Sequence, residues 1–413
     1  MKTDVVVLGA GIIGVSAALH LQARGRSVVL LDRRGAGEET SHGNAGLIER
    51  SSVIPYAFPR KLSKILRYSL NTSLDARYHV RHLPAALPWL FQYWRHSSPR
   101  RLAEAAAAML PLIERSLIEH EPLMREAGTE FRLRRSGWLA AHRSEATFRA
   151  AIADAQALAP YALSHDVLDG RKLRDLEPHL SERLVGAIHW HDPASVSDPG
   201  AVTKAYGDLF VRRGGRFING DARSLAASGG AWTATTAEGI LTAGEAVVAL
   251  GPWSTDVFTQ FGYRIPLGIK RGYHMHYSAS ANAVLRRPVL DADSGFLLTP
   301  MTRGIRLTTG VEFGAREAPP SPVQLDRAEP LARTIFPLDA RVDAAPWLGR
   351  RPALPDMRPV IGPAPRHRGL WFAFGHAHHG FTLGPVTGRL LAEMITGQTP
   401  VVDPAPYSPA RFG

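Results

Sequence analysis

The chain has 413 residues, of which 45% are hydrophobic and 21% are charged, with a formal net charge of +12 and no cysteine. The length predicts two domains, and the lack of cysteine excludes disulfides, thiol nucleophiles, iron–sulfur clusters and cysteine-based zinc sites. No apolar run reaches the roughly 18 residues of a membrane span. A first strand near residue 4 leaves no room for a signal peptide, so we expect a cytoplasmic protein. The basic residues are spread along the chain without a nucleic-acid-binding module, which argues against a nucleic-acid partner.

The first elements predict a dinucleotide-binding βαβ unit. An apolar strand over residues 5–8 leads into a GxGxxG turn, and an Ala- and Leu-rich helix follows. A second apolar strand ends at Asp32, where a carboxylate binds the ribose diol in such units. A glycine-rich turn in another kind of α/β protein is the alternative. The residues that we expect to hold the dinucleotide here are Gly9, Gly11, Ile12, Ile13, Gly14, Asp32 and Arg33.

Two features follow this unit. Arg33 and Arg34 could border a 2′-phosphate, but an acid at the strand end favours an unphosphorylated ribose and makes them surface residues. The small, polar stretch 39–46 is interpreted as a loop lying against a ligand, because backbone approaches closely only where side chains are short. The loop residues that we expect to contact the cofactor are Ser41, His42, Asn44, Ala45 and Gly46.

The segment 60–101 is strongly basic and rich in aromatic residues. It contains nine lysines and arginines and one acid, Asp75, with Trp89, Phe91 and Trp94 interleaved. A helical insert whose aromatic residues are core is the favoured interpretation. The alternative is peripheral contact with a membrane or partner, because interfacial helices combine basic faces with Trp and Leu.

The middle of the chain predicts alternating helices and strands. Helices are expected over 102–130 and 144–160, with a strand pair between them at 131–141. Ser197-Asp198-Pro199 caps a helix that continues through 201–211. Short strands are then expected at 232–236, 239–242 and 246–250. The last of these is continuously apolar and places Gly251 and Trp253 near the cofactor.

The last third is predicted to be β-rich before a second glycine-rich turn. Residues 264–312 alternate as strands, and a helix is expected near 326–336. A strand at 370–374 runs into the turn 375–380, and a final helix begins at about residue 384.

In this order, the motifs resemble the D-amino-acid oxidase (DAO) family of FAD-dependent oxidoreductases, and most of all its D-amino-acid dehydrogenase branch. The motifs are the GxGxxG turn with Asp32, the 41–46 loop, Ser197-Asp198-Pro199, 247–253, Gly349-x-Arg351-Pro352 and 375–380. The resemblance implies an α/β fold in which a Rossmann-like, glutathione-reductase-like FAD-binding domain carries an inserted antiparallel-sheet α+β substrate domain. The implied limits are 1–60, 190–262 and 345–413 for the FAD-binding domain, and 61–189 and 263–344 for the substrate domain, with the helical insert at 60–101.

The resemblance also implies FAD-dependent oxidation of a C–N bond. Hydride leaves the α-carbon for flavin N5, and the imine hydrolyses to a 2-oxo acid. Arg351 matches the arginine that holds the substrate carboxylate in similar enzymes, and a planar guanidinium suits that role; a surface arginine is the alternative. Tyr273 is predicted as a second hydrogen-bond donor to the substrate, with a core tyrosine as the alternative.

Two glycine-rich segments are expected around the flavin ring. His42 and Asn44 would face its edge, while the 375–380 turn would bring backbone N–H groups to the reduced flavin. Three histidines in this turn lack a partnering carboxylate pattern, so we predict no metal and expect one of them to line the pocket. The predicted catalytic residues are Arg351, Tyr273, His42 and His378. Further cofactor contacts are expected from Gly251, Trp253, Gly349, Arg351, Gly375, His376, His378, His379, Gly380 and Thr382.

The leading functional prediction is oxidation of a D-amino acid or a D-imino acid such as D-hydroxyproline. A quinone or respiratory chain would accept the electrons, and 60–101 could contact the inner face of the membrane. Two alternatives stay open: an oxygen-dependent oxidase of secondary amino acids (glycine derivatives, opines or iminodiacids), or a flavin-binding subunit of a larger complex. The sequence leaves the oligomeric state open.

Overall fold

The computed structural model describes residues 1–413 and contains ten α-helices and 22 β-strands. The helices are α1 Ile12–Gln22, α2 Leu62–Ser69, α3 Leu83–His96, α4 Pro99–Glu126, α5 Glu145–Ala157, α6 Gly170–Leu176, α7 Pro199–Arg212, α8 Thr255–Phe258, α9 Val323–Ile335 and α10 Gly380–Ile395. The strands are β1 Lys2–Leu8, β2 Val28–Asp32, β3 Leu47–Ile48, β4 Ala76–Tyr78, β5 Leu133–Arg134, β6 Trp138–His142, β7 His165–Asp169, β8 Gly186–Trp190, β9 Ala194–Val196, β10 Arg216–Asn219, β11 Ala226–Ser228, β12 Ala231–Thr236, β13 Gly239–Val248, β14 Gly268–Ala279, β15 Val289–Asp291, β16 Phe296–Met301, β17 Gly304–Thr308, β18 Val311–Phe313, β19 Leu338–Arg341, β20 Trp347–Ala353, β21 Val360–Pro363 and β22 Leu370–Phe374.

The first sheet has eight strands and a parallel centre. Its order is β10-β2-β1-β13-β12-β11, with β22 parallel to β13 and β21 beside β22. Both faces of β1 are buried: Val5 and Val7 join the core beneath α1 and α10, whereas Val6 and Leu8 join the core on the other face. Burial on both faces explains the continuous apolar run that the sequence shows here.

The second sheet has eleven strands and is mostly antiparallel. The long strand β14 lies at its centre and pairs with β17, β18, β19 and β20. A separate apolar cluster fills the space between this sheet and α9. A third sheet, β3-β9-β5, is small. The mixed α/β class expected from the sequence is confirmed.

Three predicted boundaries differ from the structure. The final helix begins at Gly380, four positions before the predicted start at 384. The predicted strands 239–242 and 246–250 form one strand, β13, because 242–248 pair continuously with β1. Residues 347–353, predicted within the FAD-binding domain, form β20 and pair with β14 of the second sheet.

The basic segment 60–101 is only partly packed. It forms α2, the short strand β4 and α3. Tyr93 is buried, but α2 has no buried residue, and Leu62, Leu66 and Leu70 are 70%, 58% and 71% exposed. The favoured prediction, aromatic residues in a core, therefore describes Tyr93 but not Phe91, which is 58% exposed. None of the helices combines the length and apolar character that crossing a bilayer requires.

Candidate active site

A cavity of about 1050 Å³ is lined by residues of both large sheets. At one end it meets the turn after β1, the end of β2 and the turn after β13. At the other end it meets β14, β20 and the segment 49–59. Most of the predicted site residues contribute to its wall. Those that do are Gly9, Gly11, Ile12, Ile13, Asp32, Arg33, Ser41, Asn44, Ala45, Gly251, Trp253, Tyr273, Gly349, Arg351, Gly375, His376, His378, Gly380 and Thr382.

The nucleotide end is built mainly from backbone. Gly9 has φ +106°, and a Cβ there would lie 2.5 Å from the Ala249 carbonyl oxygen, so only glycine fits this turn. A Cβ on Gly14 would lie 1.8 Å from the Gly9 carbonyl oxygen. Gly14 therefore packs α1 against the turn and does not line the cavity. Gly11, at the start of α1, has only the Ser41 hydroxyl within 4 Å of its Cβ position, which leaves space for a pyrophosphate.

Asp32 connects the end of β2 to this turn. Its Oδ2 accepts a hydrogen bond of 2.6 Å from the Ala10 amide, and its Oδ1 accepts one of 3.1 Å from the Arg34 amide. Burial raises the pKa of the carboxyl above its ordinary value. The carboxylate thus lies where the ribose of a dinucleotide is bound, and the turn and acid together fit the predicted cofactor.

The neighbouring arginines are already engaged. Arg33 and Arg34 both pair with Glu39, at 2.9 Å and 3.2 Å. The Arg33 guanidinium also lies 4.5 Å from the centre of the Trp253 ring. One carboxylate faces two guanidinium groups, so this cluster keeps a net positive charge, and the Arg33 and Arg34 side chains remain 54% and 58% exposed. The feature that favours an unphosphorylated ribose is the acid at the strand end, Asp32.

The predicted position of His42 at the flavin edge is wrong. His42 does not line the cavity; its ring packs against Gly200 at the first turn of α7, and its centre lies 6.1 Å from that of Trp347. The loop is held instead through its carbonyl groups, since Arg306 donates to the carbonyl oxygens of His42 and Asn44. Asn44 and Ala45 do line the cavity. Gly46 does not, because it packs against the Val196 carbonyl of β9.

A buried relay holds Arg306 in place. Its Nε donates to His276 Nε2 at 3.0 Å, and His276 Nδ1 lies 2.7 Å from Asp343 Oδ2. Burial lowers the pKa of Arg306 to about 10. His274, His276 and Asp343 are close enough together to suggest a metal site. The arginine that donates to His276 Nε2 already occupies that lone pair.

Arg351 is the free cation of an adjacent pair. Arg350 donates to the Arg316 carbonyl oxygen at 2.8 Å and lies 3.8 Å from Glu317. Arg351 has no acidic partner and makes only long hydrogen bonds, of 3.4 Å and 3.3 Å, to the carbonyl oxygens of Arg271 and Gly310. Burial lowers its pKa to about 10. It therefore lies in the cavity wall with its hydrogen-bonding capacity largely unused.

The prediction that Tyr273 donates to the substrate is wrong. Tyr273 is 1% exposed, and its hydroxyl donates to Glu312 Oε1 at 3.0 Å. The Tyr273 hydroxyl oxygen itself accepts from Arg271 Nη2 and from the Ser321 amide. Its single proton is donated to a buried acid and is therefore not available to a substrate. The hydroxyl behaves as that of a core tyrosine, which was the alternative interpretation.

The three histidines after β22 do not converge on one point. His376 is buried against the Thr387 hydroxyl at 3.0 Å, and burial lowers its pKa to about 3. His379 lies 3.4 Å from the Ser52 hydroxyl and outside the cavity wall. His378 does line the cavity, with its ring centre 4.9 Å from that of Tyr56. Burial, followed by the charges of Arg351 and Lys270, lowers its pKa.

Three residues that the sequence reasoning did not select complete the wall: Tyr56, Glu49 and Lys270. The charge of Glu49 raises the pKa of Tyr56, which is 53% exposed, while Arg351 opposes that rise. Burial raises the pKa of Glu49 to about 7. Strand alternation held the signal for Lys270, because Lys270 and Gly272 share one face of β14. Tyr273 borders the cavity, but its hydroxyl is bound to the buried Glu312.

The chain matches a known family and has curated relatives over nearly its whole length. The family described as "FAD dependent oxidoreductase" (DAO) matches residues 4–394. A D-amino-acid oxidase of Bradyrhizobium diazoefficiens is 29% identical over 99% of this chain and 98% of its own length. A D-amino acid dehydrogenase of Xylella fastidiosa is 30% identical over 95% of this chain and 91% of its own.

The fold has solved counterparts. Glycine oxidase from Geobacillus kaustophilus superposes with a TM-score of 0.77 at 21% identity, covering 98% of each chain.

Proposed function

Because the chain belongs to the DAO family of FAD-dependent oxidoreductases, we propose that it oxidises a D-amino acid or a D-imino acid such as D-hydroxyproline. The turn at Gly9 and Gly11 and the Asp32 carboxylate would hold FAD, which would supply a two-electron acceptor for the hydride of the substrate α-carbon. The imine product would take up water to give a 2-oxo acid, with the nitrogen leaving as ammonia or an amine, or staying attached as an amine when the imine is cyclic. The coarser statement, an FAD-dependent amino-acid oxidoreductase, follows from the family and from relatives that cover nearly the whole chain. The preference for the D-enantiomer rests on the names of those relatives.

Arg351 is the observation that carries the proposal. An unpaired guanidinium in a buried wall is suited to a carboxylate, which it binds with two parallel hydrogen bonds. Tyr56 adds a phenolic hydroxyl near the same group. Together they hold the substrate carboxylate, which orients the α-carbon and makes the reaction effectively unimolecular.

A quinone is the proposed electron acceptor, reached through the exposed basic segment 60–101. The leucines on α2 project from a surface that also carries Lys61 and Arg67, and this combination is typical of helices that lie on anionic bilayers. Co-sedimentation with vesicles tests this contact. We expect binding to vesicles that contain phosphatidylglycerol, weaker binding to pure phosphatidylcholine, and loss of binding when Leu62 and Leu66 are changed to Ser.

The test of the reaction is anaerobic reduction of the bound flavin by matched D- and L-amino and imino acids. We expect bleaching by a D-enantiomer and none by its L-partner. If no substrate bleaches the flavin, the proposal fails and a non-catalytic flavin-binding subunit is favoured. If hydrogen peroxide forms in air at the rate of substrate oxidation, oxygen is the electron acceptor. The dehydrogenase assignment is then wrong, and the oxygen-dependent oxidase of secondary amino acids is favoured.

A further inference from the structure

Lys270 is a buried cation without a counter-ion. It is 5% exposed, and its ammonium makes no hydrogen bond or ion pair with any protein group. Its nearest electron-rich neighbours are two rings of α3: the ammonium lies 4.0 Å from the centre of Tyr93 and 5.6 Å from that of Trp89. Aromatic faces compensate only part of the cost of removing a charge from water. The position therefore lacks a negative charge.

Lys270 and Arg351 form one surface of the cavity. They are directly paired across β14 and β20, and both line the cavity wall. Cross-strand neighbours project from the same face of a sheet. The Arg351 guanidinium extends over Gly272, since a Cβ there would meet its Nη1 at 2.4 Å. The Lys270 ammonium extends towards α3, so the two charges diverge from a common pair of backbone positions.

No acidic side chain nearby neutralises this pair. Burial and the charge of Arg351 lower the pKa of Lys270 to about 7, and no acid opposes that fall. The charge of Glu49 raises the pKa of Tyr56. Asp75 also lines the cavity but is bound by Tyr68 and Arg67. The pocket thus presents two basic side chains, and neither has a carboxylate partner.

We propose that Lys270 forms a second anion subsite and that the preferred substrate is an amino or imino acid with a second carboxylate. The α-carboxylate binds Arg351, and the distal carboxylate binds the Lys270 ammonium beneath α3. This inference rests on the proposed function, because it assumes that an amino acid is the substrate.

The test compares acids with their uncharged isosteres in wild type and in Lys270→Met. We expect kcat/KM for D-glutamate or D-aspartate to exceed that for D-glutamine or D-asparagine by at least tenfold in wild type. The ratio should fall to near one in Lys270→Met and be retained in Lys270→Arg. The matched control is Lys64→Met, because Lys64 is an exposed lysine at the edge of the same cavity.

A binding measurement separates failure of this inference from failure of the reaction. Perturbation of the flavin absorbance reports the binding of glutarate and of butyrate without turnover. Tighter binding of glutarate that is lost in Lys270→Met supports the subsite even when no amino acid reduces the flavin. Equal discrimination in both proteins overturns it. A changed flavin spectrum or sulfite affinity with unchanged discrimination also overturns it and assigns Lys270 to the cofactor.

Discussion

The two ends of the cavity are constructed differently. At the nucleotide end, glycine backbone and the start of α1 form the wall, and the polar side chains are already paired: Asp32 with two amides, and Arg33 with Glu39. At the substrate end, neither Arg351 nor Lys270 is paired with an acid, although Glu49 lies in the same wall. The nucleotide end binds the same cofactor in every turnover, so its polar side chains can be paired within the protein. The substrate end has unpaired basic side chains, which an anionic substrate can neutralise. Unpaired buried charge lowers stability, so it indicates where substrate recognition takes place.

We expect the largest effect when the substrate-binding cation Arg351 is removed. Arg351→Met should lower kcat/KM by a factor corresponding to about 2–5 kcal/mol, which is the range for truncating one partner of a buried charge pair. The bound flavin should remain. Steady-state kinetics and the flavin spectrum check both statements. Arg350→Met is the control, because its neighbours are Glu317 and a carbonyl oxygen; equal losses in the two variants would contradict the assignment.

We expect the next largest effect on FAD binding, when a methyl group is added at the nucleotide end. Gly11→Ala should fold normally, because its Cβ would lie 3.4 Å from the nearest side-chain atom. It should bind FAD at least tenfold more weakly, since the methyl group enters the space for the pyrophosphate. Circular dichroism and fluorescence titration of the apoprotein with FAD measure the two properties. Gly14→Ala should instead lose the fold, given the 1.8 Å contact with the Gly9 carbonyl. If Gly11→Ala binds FAD as tightly as wild type, the pyrophosphate does not lie against Gly11 and the assignment is wrong.

We expect the smallest effects from removing single hydroxyl groups at the substrate end, where Tyr56 is compared with Tyr273. Tyr56→Phe should lower kcat/KM about tenfold, near the lower limit for a hydrogen bond to a charged group. Tyr273→Phe should leave kcat/KM unchanged. It should lower the free energy of unfolding by about 1–3 kcal/mol, because the Ser321 amide loses its acceptor. Kinetics and denaturant unfolding of both variants distinguish them, and the reverse pattern would restore Tyr273 to the active site.

Local sequence patterns were sufficient to predict the nucleotide end of the cavity. The turn at Gly9, the helix that follows it and Asp32 at the end of β2 obey rules of backbone conformation within about thirty consecutive residues. Such rules act locally, so the residue types alone specify the geometry. Arg351 was also identified, but through a family motif that records its neighbours along the chain.

Which side chains meet at the substrate end depends on tertiary packing and could not be predicted from local patterns. Tyr273 borders the cavity as predicted, but its hydroxyl donates to the buried Glu312, a partner contributed by another strand that no local pattern reveals. His42 belongs to the right loop, but the packing of Gly200 directs its ring away from the cavity. Lys270 lines the same cavity as Glu49 and Tyr56, which precede it in the chain by more than two hundred residues. Their proximity depends on strand pairing and on burial between elements, and no local pattern encodes either.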